Sequence, residues 1–406
     1  MKRIVVIGGG PAGVWAAIEA KRKDAAADVV LLTEEACEPY EKPPLSKAVL
    51  TGRSRPEDAP IAAPTGVGAL GVMLETGAVC TAIDRARREV VLRSGRRLPY
   101  DALVIATGSL LREIPSLPLG APRVHYLRTQ DHALALKDEL QPGRRLVVVG
   151  GGLIGLEVAA SAVEIGVRTT VIEVAPRILG RVCDEETSAF VLDAHRRHGV
   201  DIRLGKSITN VERPADGRIA IATGDGETFE ADVVVVGTGA RADDRLAAAA
   251  GLATEDGIVV DAQCRTSDPL IFAAGDCTRF PGPHGSVRLE NWRHAQDQGL
   301  VAGRNAAGGN DTYRTVPTYW SEQYDLYIQG VGWPATGPVE HVRRAISDSS
   351  MLVFEVTGQH LAYAVGINVQ RDIATIRRLI ERQVPVAAAE LADPGRPLAA
   401  MLKARA

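Results

Sequence analysis

The chain has 406 residues, 46% of them hydrophobic and 24% charged, with a formal net charge of -3. That length points to about two or three domains of ordinary globular composition. A near-neutral charge and an aromatic content of 4% exclude the electrostatic footprint and stacking platforms of a nucleic-acid binder.

In chain order, Ile4-Val5-Val6-Ile7 reads as a buried strand that runs into Gly8-Gly9-Gly10-Pro11-Ala12-Gly13. Apolar residues then recur at helical spacing (Val14, Ala17, Ile18), and Val29-Val30-Leu31-Leu32 is a second short strand, so the opening segment is β-turn-α-β. The unit returns 142 positions later, from Gly8 to Gly150. Leu146-Val147-Val148-Val149 is its strand, Gly150 to Gly155 its turn, Leu156 to Ile165 its helix, and Val171-Ile172 lies in its second strand. That spacing is too long for a solenoid repeat and implies two similar domains. The apolar runs Ala102–Ala106 and Val233–Val236 fit central parallel strands buried on both faces. The α/β pattern changes near residue 315. Met351–Val356 and Leu361–Ile367 form a hairpin around Thr357-Gly358, a helix follows from Asp372 to Gln383, and the Ala- and Pro-rich tail Pro385–Ala406 is expected to pack loosely.

The fold class that follows is α/β. Two Rossmann-like dinucleotide-binding domains, the second inserted in the first, precede a small α+β C-terminal domain. The expected boundaries are 1–111 with 240–315 for the first domain, 112–239 for the second and 316–406 for the third.

Each Gly-x-Gly-x-x-Gly turn carries a physical function. In Gly8, Gly10 and Gly13, as in Gly150, Gly152 and Gly155, the first glycine makes the tight turn, the second lets backbone approach a pyrophosphate, and the third lets helix pack on strand. The helix N-terminus supplies free N–H groups and a favourable field. An acidic residue at the end of the second strand accepts from ribose hydroxyls. Glu34, 21 residues past Gly13, fills that role in the first unit, with Glu35 the alternative; Glu173, 18 residues past Gly155, fills it in the second. Glu173 disfavours a 2′-phosphate and so selects NADH over NADPH, whereas the nearby Arg177 and Arg181 pull the other way.

With the segments Asp101 to Gly108 (DALVIATG), Asp232 to Gly239 (DVVVVGTG) and Ile271 to Asp276 (IFAAGD), the two turns resemble the two-dinucleotide-binding-domain flavoprotein disulfide reductase superfamily. In that superfamily the first turn binds FAD and the second NAD(P)H. A finer resemblance rests on Pro39 to Lys47 (PYEKPPLSK), Tyr126 to Thr129 (YLRT) and Val316 to Asp325 (VPTYWSEQYD). It is to the NADH-dependent ferredoxin reductases of bacterial Rieske oxygenase and cytochrome P450 systems, and it extends from Met1 to about Leu398. The family often has an Arg where Lys42 stands and a Trp or Phe pair where Thr318-Tyr319 stand.

The resemblance implies FAD and NADH as cofactors and a [2Fe–2S] ferredoxin as partner. It implies that Gly8, Gly10, Pro11, Ala12, Gly13, Glu34, Lys47, Val79, Ala106, Thr107, Gly108, Arg128, Gly275, Asp276 and Trp292 serve FAD. Gly150, Gly152, Ile154, Gly155, Glu173 and Gly239 would serve NADH. Lys47, Glu157 and Trp320 stand nearest the chemistry. Lys47 is expected beside the isoalloxazine, where an ammonium stabilises developing negative charge. Glu157 either approaches the nicotinamide or pairs with Lys47. Trp320 stands either near the flavin or, with Tyr319, Tyr324 and Tyr327, in the core of the small domain. Arg288, Arg293, Arg304 and Arg314 are candidates for a basic surface that meets an acidic ferredoxin.

Five scattered cysteines without a Cys-x-x-Cys argue against a disulfide framework or zinc site and fit a cytoplasmic protein. Met1-Lys2-Arg3 before an apolar stretch imitates a secretory signal, but the glycine cluster interrupts it. No run approaches the ~20 apolar residues of a membrane span. His195 and His198 have the wrong spacing for zinc and are read as structural or solvated, and no metal is expected. Two other readings stay open. One is a single-cysteine NADH oxidase, peroxidase or coenzyme A disulfide reductase working through Cys37; the other is a flavoprotein redox-sensing or partner-binding module.

Overall fold

The computed structural model describes residues 1–62, 65–214 and 217–403. The chain forms two compact units. One comprises Met1–Glu41, Pro56–Leu110 and Ala240–Thr315, and the other Lys42–Arg55, Leu111–Gly239 and Val316–Ala406.

In the first unit, the strands Ile271–Ala273, Ala102–Ile105, Arg3–Ile7, Asp28–Leu32 and Met73–Glu75 lie side by side in that order, all parallel. Ala102 to Ile105 are buried at every position, as expected of a strand covered on both faces. Asp101, which opens the DALVIATG segment, accepts from the backbone N–H of Arg3 at 2.7 Å and so joins the start of one strand to the start of its neighbour. The helix Pro11–Lys23 has proline in its first turn and Lys21, Arg22 and Lys23 in its last. Both choices suit the helix: proline's missing donor is not needed there, and cations suit the C-terminal dipole.

A second helix, Trp292–Ala306, crosses the first at backbone contact. Its N-cap Asn291 accepts from His294 N–H at 2.8 Å. A β-carbon on Gly299 would stand 2.3 Å from Ala12 O, and one on Gly303 would stand 2.1 Å from Ala16 O. Two glycines four residues apart thus face two alanines four residues apart, and the helices touch along a seam without side chains.

The second unit repeats the first. Asp201–Arg203, Arg168–Ile172, Arg145–Val149, Val233–Val236 and Val124–His125 form a parallel sheet in that order. Asp232 opens the DVVVVGTG segment and accepts from Arg145 N–H at 2.9 Å and from its guanidinium, the counterpart of the Asp101 contact. Each unit also holds a three-stranded antiparallel meander, Cys80–Asp84 to Arg97–Pro99 in the first and Ile208–Glu212 to Thr228–Ala231 in the second. These short strands interrupt the α/β alternation that the sequence pattern implies.

The C-terminal segment of the second unit is a five-stranded antiparallel sheet. Its order is Thr318–Gln323, Leu326–Gly332, His360–Ile367, Ser350–Thr357 and Glu340–Ser347. The hairpin at Thr357-Gly358 is present, and the expected helix spans Gln370–Glu381.

The tail departs from the expectation of loose packing. Short helices at Ala388–Ala392 and Leu398–Lys403 bury Leu391, Leu398 and Met401. Arg344, itself 5% exposed, donates to the carbonyls of Leu391, Pro394 and Arg396 at 3.2, 3.3 and 2.7 Å. A guanidinium carries five donors in a fixed fork, and here it collects carbonyls that an Ala- and Pro-rich turn cannot pair with itself. Residues 404–406 of the tail lie outside the described residues.

Arg344→Ala leaves three carbonyls without this donor. A loss of about 2–3 kcal/mol is expected, measured as a lower urea midpoint together with new tryptic and chymotryptic cuts beyond residue 383. An unchanged digestion pattern would assign the order of the tail to its apolar contacts alone.

Candidate functional site: two open glycine turns and a buried ion pair

Both fingerprints form the turns their spacing predicts. Gly8 and Gly150 adopt φ of +117° and +111°, and a β-carbon on either would lie 2.1 Å from Ala106 O or 2.6 Å from Gly237 O. Gly13 and Gly155 pack so closely on the turns that a β-carbon would sit 1.8 or 2.2 Å from the carbonyl oxygen of Gly8 or Gly150. Gly10 and Gly152 differ, because a β-carbon there would meet nothing within 4 Å. Each is the N-cap of its helix, makes no side-chain capping bond, and precedes a first turn without an acidic residue. An open space before uncapped N–H groups is an anion site, so the residues fit a dinucleotide pyrophosphate in both units.

In the first unit Glu34 is exposed just past Asp28–Leu32, whereas Glu35 accepts from Tyr40 OH at 2.5 Å. Of the two carboxylates, Glu34 is the one presented to solvent. Gly275, at φ +85°, would place a β-carbon 2.8 Å from that of Ala12, so the Gly-Asp pair lies against the start of the fingerprint helix. Gly275 N–H donates to Gln298 at 2.8 Å, and Asp276 accepts from Ser109 at 3.3 Å. Thr107 Oγ1 donates to Asp243 O at 2.6 Å, and Gly108 has φ +73°. Val79 lines a shallow pocket of about 340 Å³ with Gly77, Ala78, Leu92, Arg93 and Ser94. Trp292 Nε1 donates to Glu41, whose carboxyl is raised above the usual range by burial.

In the second unit Glu173 accepts from Gly151 N–H at 2.6 Å and Ala175 N–H at 2.8 Å. Each carboxylate oxygen keeps a lone pair for a ribose hydroxyl. Arg177 is committed elsewhere, donating to Cys183 O at 2.6 Å and Gly180 O at 3.0 Å. That commitment removes one of the two arginines that blurred the nicotinamide preference. Ile154 is 51% exposed beside Leu153 at the helix start. Gly239, at φ +98°, faces the Arg181 guanidinium, and Arg128 O accepts from Lys42 Nζ at 3.3 Å.

Lys47 Nζ stands 2.9 Å from Glu157 Oε1, with side chains 15% and 7% exposed, so of the two contacts open to Glu157 the chain makes the ion pair. Ser46 Oγ donates to the other carboxylate oxygen, and Ser321 Oγ donates to Oε1 at 2.6 Å. Behind Ser321 come Gln323 at 3.0 Å, His195 at 2.8 Å and Tyr324 at 3.1 Å. Ser46, Ser321 and Gln323 were not singled out by sequence reasoning. The residue pattern of Thr318–Gln323 gives no sign of them: only the strand's pleat in the fold buries Ser321 and Gln323 and leaves Trp320 half-buried on the other face. Tyr319 and Tyr363 both donate to Val182 O, at 2.5 and 2.6 Å, so these tyrosines are packing residues.

Three of the four arginines after the Gly-Asp pair are ion-paired: Arg288 with Asp256 and Glu290, Arg293 with Asp297, and Arg304 with Glu19 and Asp311. None of the five cysteines is in a disulfide. Burial pushes the thiols of Cys80 and Cys277 up to about 11 and that of Cys183 to about 12, and raises Cys264 further, so these four are poor nucleophiles. Among the described residues, no helix is long and apolar enough to cross a membrane.

Two Rossmann units with open glycine turns and an acidic strand end define an oxidoreductase that carries two dinucleotides. The chain belongs to the pyridine nucleotide-disulphide oxidoreductase family, whose model matches residues 2–299, and a reductase C-terminal model matches residues 318–402. It is 38% identical to the ferredoxin–NAD(+) reductase component of the anthranilate 1,2-dioxygenase system of Burkholderia cepacia, over 96% of this chain and 97% of that one. It is 37% identical to the corresponding component of the p-cumate 2,3-dioxygenase system of Pseudomonas putida, over 98% of both. The fold matches the covalent putidaredoxin reductase–putidaredoxin complex with a TM-score of 0.94 and 34% identity, covering 100% of this chain and 99% of that one.

Two measurements test this geometry. Gly299→Ala forces a β-carbon against the backbone of the fingerprint helix and should cost about 1–3 kcal/mol, seen as a lower melting temperature and weaker dinucleotide retention; an unchanged melting curve would show that the helices can separate freely. His195 is fully buried, and desolvation lowers its pKa to about 4. Between pH 6.5 and 4 the unfolded chain binds a proton there that the folded chain refuses, so stability falls on acidification by on the order of 3 kcal/mol. Unfolding midpoints across that window should fall less steeply in His195→Gln, and parallel pH profiles would contradict the assignment.

Proposed function

We propose that the chain is an FAD-dependent NADH:ferredoxin oxidoreductase that passes electrons from NADH to a [2Fe–2S] ferredoxin serving a Rieske oxygenase or a cytochrome P450. The observation that carries this reading is the pair of uncapped, sterically open glycine turns, in a chain that covers oxygenase-system reductases from end to end. When bound, FAD accepts two electrons as hydride from NADH and releases them one at a time, which is what a one-electron iron–sulfur acceptor requires.

The protein's part is to bind and orient. The N-terminus at Gly10 and Pro11 takes the FAD pyrophosphate and Glu34 the ribose, while Gly275 and Asp276 hold the ribityl-phosphate stretch. Gly8, Ala12, Gly13, Ala106, Thr107 and Gly108 shape that site, and Val79, Arg128, Trp292 and Trp320 complete the flavin environment. Gly150, Gly152, Ile154, Gly155, Glu173 and Gly239 serve NADH. Lys47, held by Glu157, presents its ammonium to the flavin ring. The division into an FAD domain (1–111 and 240–315), an NADH domain (112–239) and a C-terminal domain (316–406) belongs to the same reading. So does a cytoplasmic location, which five cysteines outside any disulfide support.

Both oxygens of Glu173 already accept from backbone, and its charge opposes a 2′-phosphate. NADH should therefore exceed NADPH in kcat/KM by at least about ten-fold when purified yellow protein reduces a panel of [2Fe–2S] ferredoxins. Equal rates would refute the Glu173 assignment, and no ferredoxin reduction at all would refute the function. Cys37→Ser belongs in the same assay: turnover should persist, and its collapse would move the protein to the single-cysteine oxidases and disulfide reductases.

A further inference from the structure

The hydrogen bonds behind Glu157 have only one possible direction. A carboxylate paired with an ammonium accepts and does not donate. Ser321 Oγ–H must therefore donate to Glu157 Oε1, at 2.6 Å. That leaves the Ser321 oxygen as acceptor for Gln323, so the amide Nε2 faces Ser321, at 3.0 Å. The Gln323 oxygen then faces His195 Nε2 at 2.8 Å, and an amide oxygen only accepts, so His195 carries its proton on Nε2. The remaining nitrogen, Nδ1, is the acceptor for Tyr324 OH at 3.1 Å. Ser321, Gln323 and His195 are 0%, 1% and 0% exposed, so water does not compete for these bonds. On the other oxygen, Ser46 Oγ donates to Glu157, and Ser161 Oγ donates to Ser46 O at 2.8 Å.

We infer that Ser321, Gln323 and His195 are positioning residues that form a one-way donor chain fixing the Glu157 carboxylate, and through it the Lys47 ammonium. This rests on the proposed role of Lys47 at the flavin. Three features support a task beyond filling space. Every donor points toward the same carboxylate, and bonds aligned in series polarise one another. The chain links four stretches distant in sequence, at residues 46–47, 157, 195 and 321–324. It is also built from polar groups where apolar ones would pack at lower cost, and it ends on the ion pair.

The test compares Lys47→Ala, Ser321→Ala, Ser321→Thr and Gln323→Glu as flavin-loaded proteins. Gln323→Glu keeps volume but removes the amide donor to Ser321 and sets a second carboxylate in competition with Glu157 for its one proton. Ser321→Ala and Gln323→Glu should slow flavin reduction at saturating NADH by about ten-fold, the effect of losing one charge-assisted hydrogen bond. The NADH dissociation constant should stay within about two-fold. The midpoint potential of the bound flavin should move in the direction seen in Lys47→Ala. Ser321→Thr should restore both, and Ser321→Ala should add nothing in a Lys47→Ala background. Nitrogen-15 NMR of the unsubstituted protein should show neutral His195 protonated on Nε2; an Nδ1–H tautomer would overturn the chain, whatever the variants do. If Lys47→Ala leaves potential and rate unchanged, the reading of Lys47 is wrong. If Lys47→Ala shifts them and Ser321→Ala and Gln323→Glu do not, the positioning proposal is wrong. Should Ser321→Ala fail to fold, Gln323→Glu and the NMR measurement carry the decision.

Discussion

Backbone lying directly on backbone, with no β-carbon between, is the constraint on which both nucleotide turns depend. The carbonyl of Gly8 occupies the space a side chain at Gly13 would need, and the carbonyl of Gly150 does the same for Gly155. In the first unit the same device extends outward. Gly299 and Gly303 bring the helix Trp292–Ala306 onto Ala12 and Ala16, and Gly275 meets Ala12. The result is a helix N-terminus pressed close to its strand, with its N–H groups facing an open space at Gly10. A residue with a side chain at any of these contacts would push the elements apart and misdirect the groups that favour a phosphate.

The second constraint is the repetition of small polar fastenings. Asp101 and Asp232 each clamp the first residue of the neighbouring central strand, Arg3 and Arg145. Thr107 and Thr238 each donate to a backbone carbonyl, of Asp243 and Arg112 respectively. The two copies of the unit thus keep their registry with equivalent atoms, although the side chains around them differ. That is why the DALVIATG and DVVVVGTG segments look alike: their ends have hydrogen bonds to make, and their middles need only be apolar.

The ion pair of Lys47 and Glu157 has a different character. A buried pair contributes little to stability unless further hydrogen bonds satisfy it. Here the serines at 46 and 321 do so, and Gln323, His195 and Tyr324 continue the chain. His195 is held neutral by burial, which the one-way chain requires, since an imidazolium would have to donate from both nitrogens. The histidine read from sequence as structural or solvated is indeed structural, but what it supports is the carboxylate beside Lys47.

How much was legible depended on whether a feature is local. The turns at Gly8–Gly13 and Gly150–Gly155, the acidic strand ends and the all-valine strand at Val233–Val236 are written in consecutive residues, because steric exclusion and periodicity act over a few positions. The C-terminal hairpin and its helix were legible for the same reason. The order of the tail was not: Ala and Pro say nothing about Arg344, which reaches the tail from a strand some fifty residues earlier. The arginines at 288 and 304 looked like part of a basic surface in sequence, and only folding brought Asp256 and Glu19 to them. The sequence by itself determined the two glycine turns and the acidic strand ends that follow them, since those turns are made from adjacent atoms. Tertiary structure alone decided that Glu157 meets Lys47, and that Ser321 and Gln323 stand behind it, because hydrogen-bond partners distant along the chain are chosen by packing and leave no local pattern.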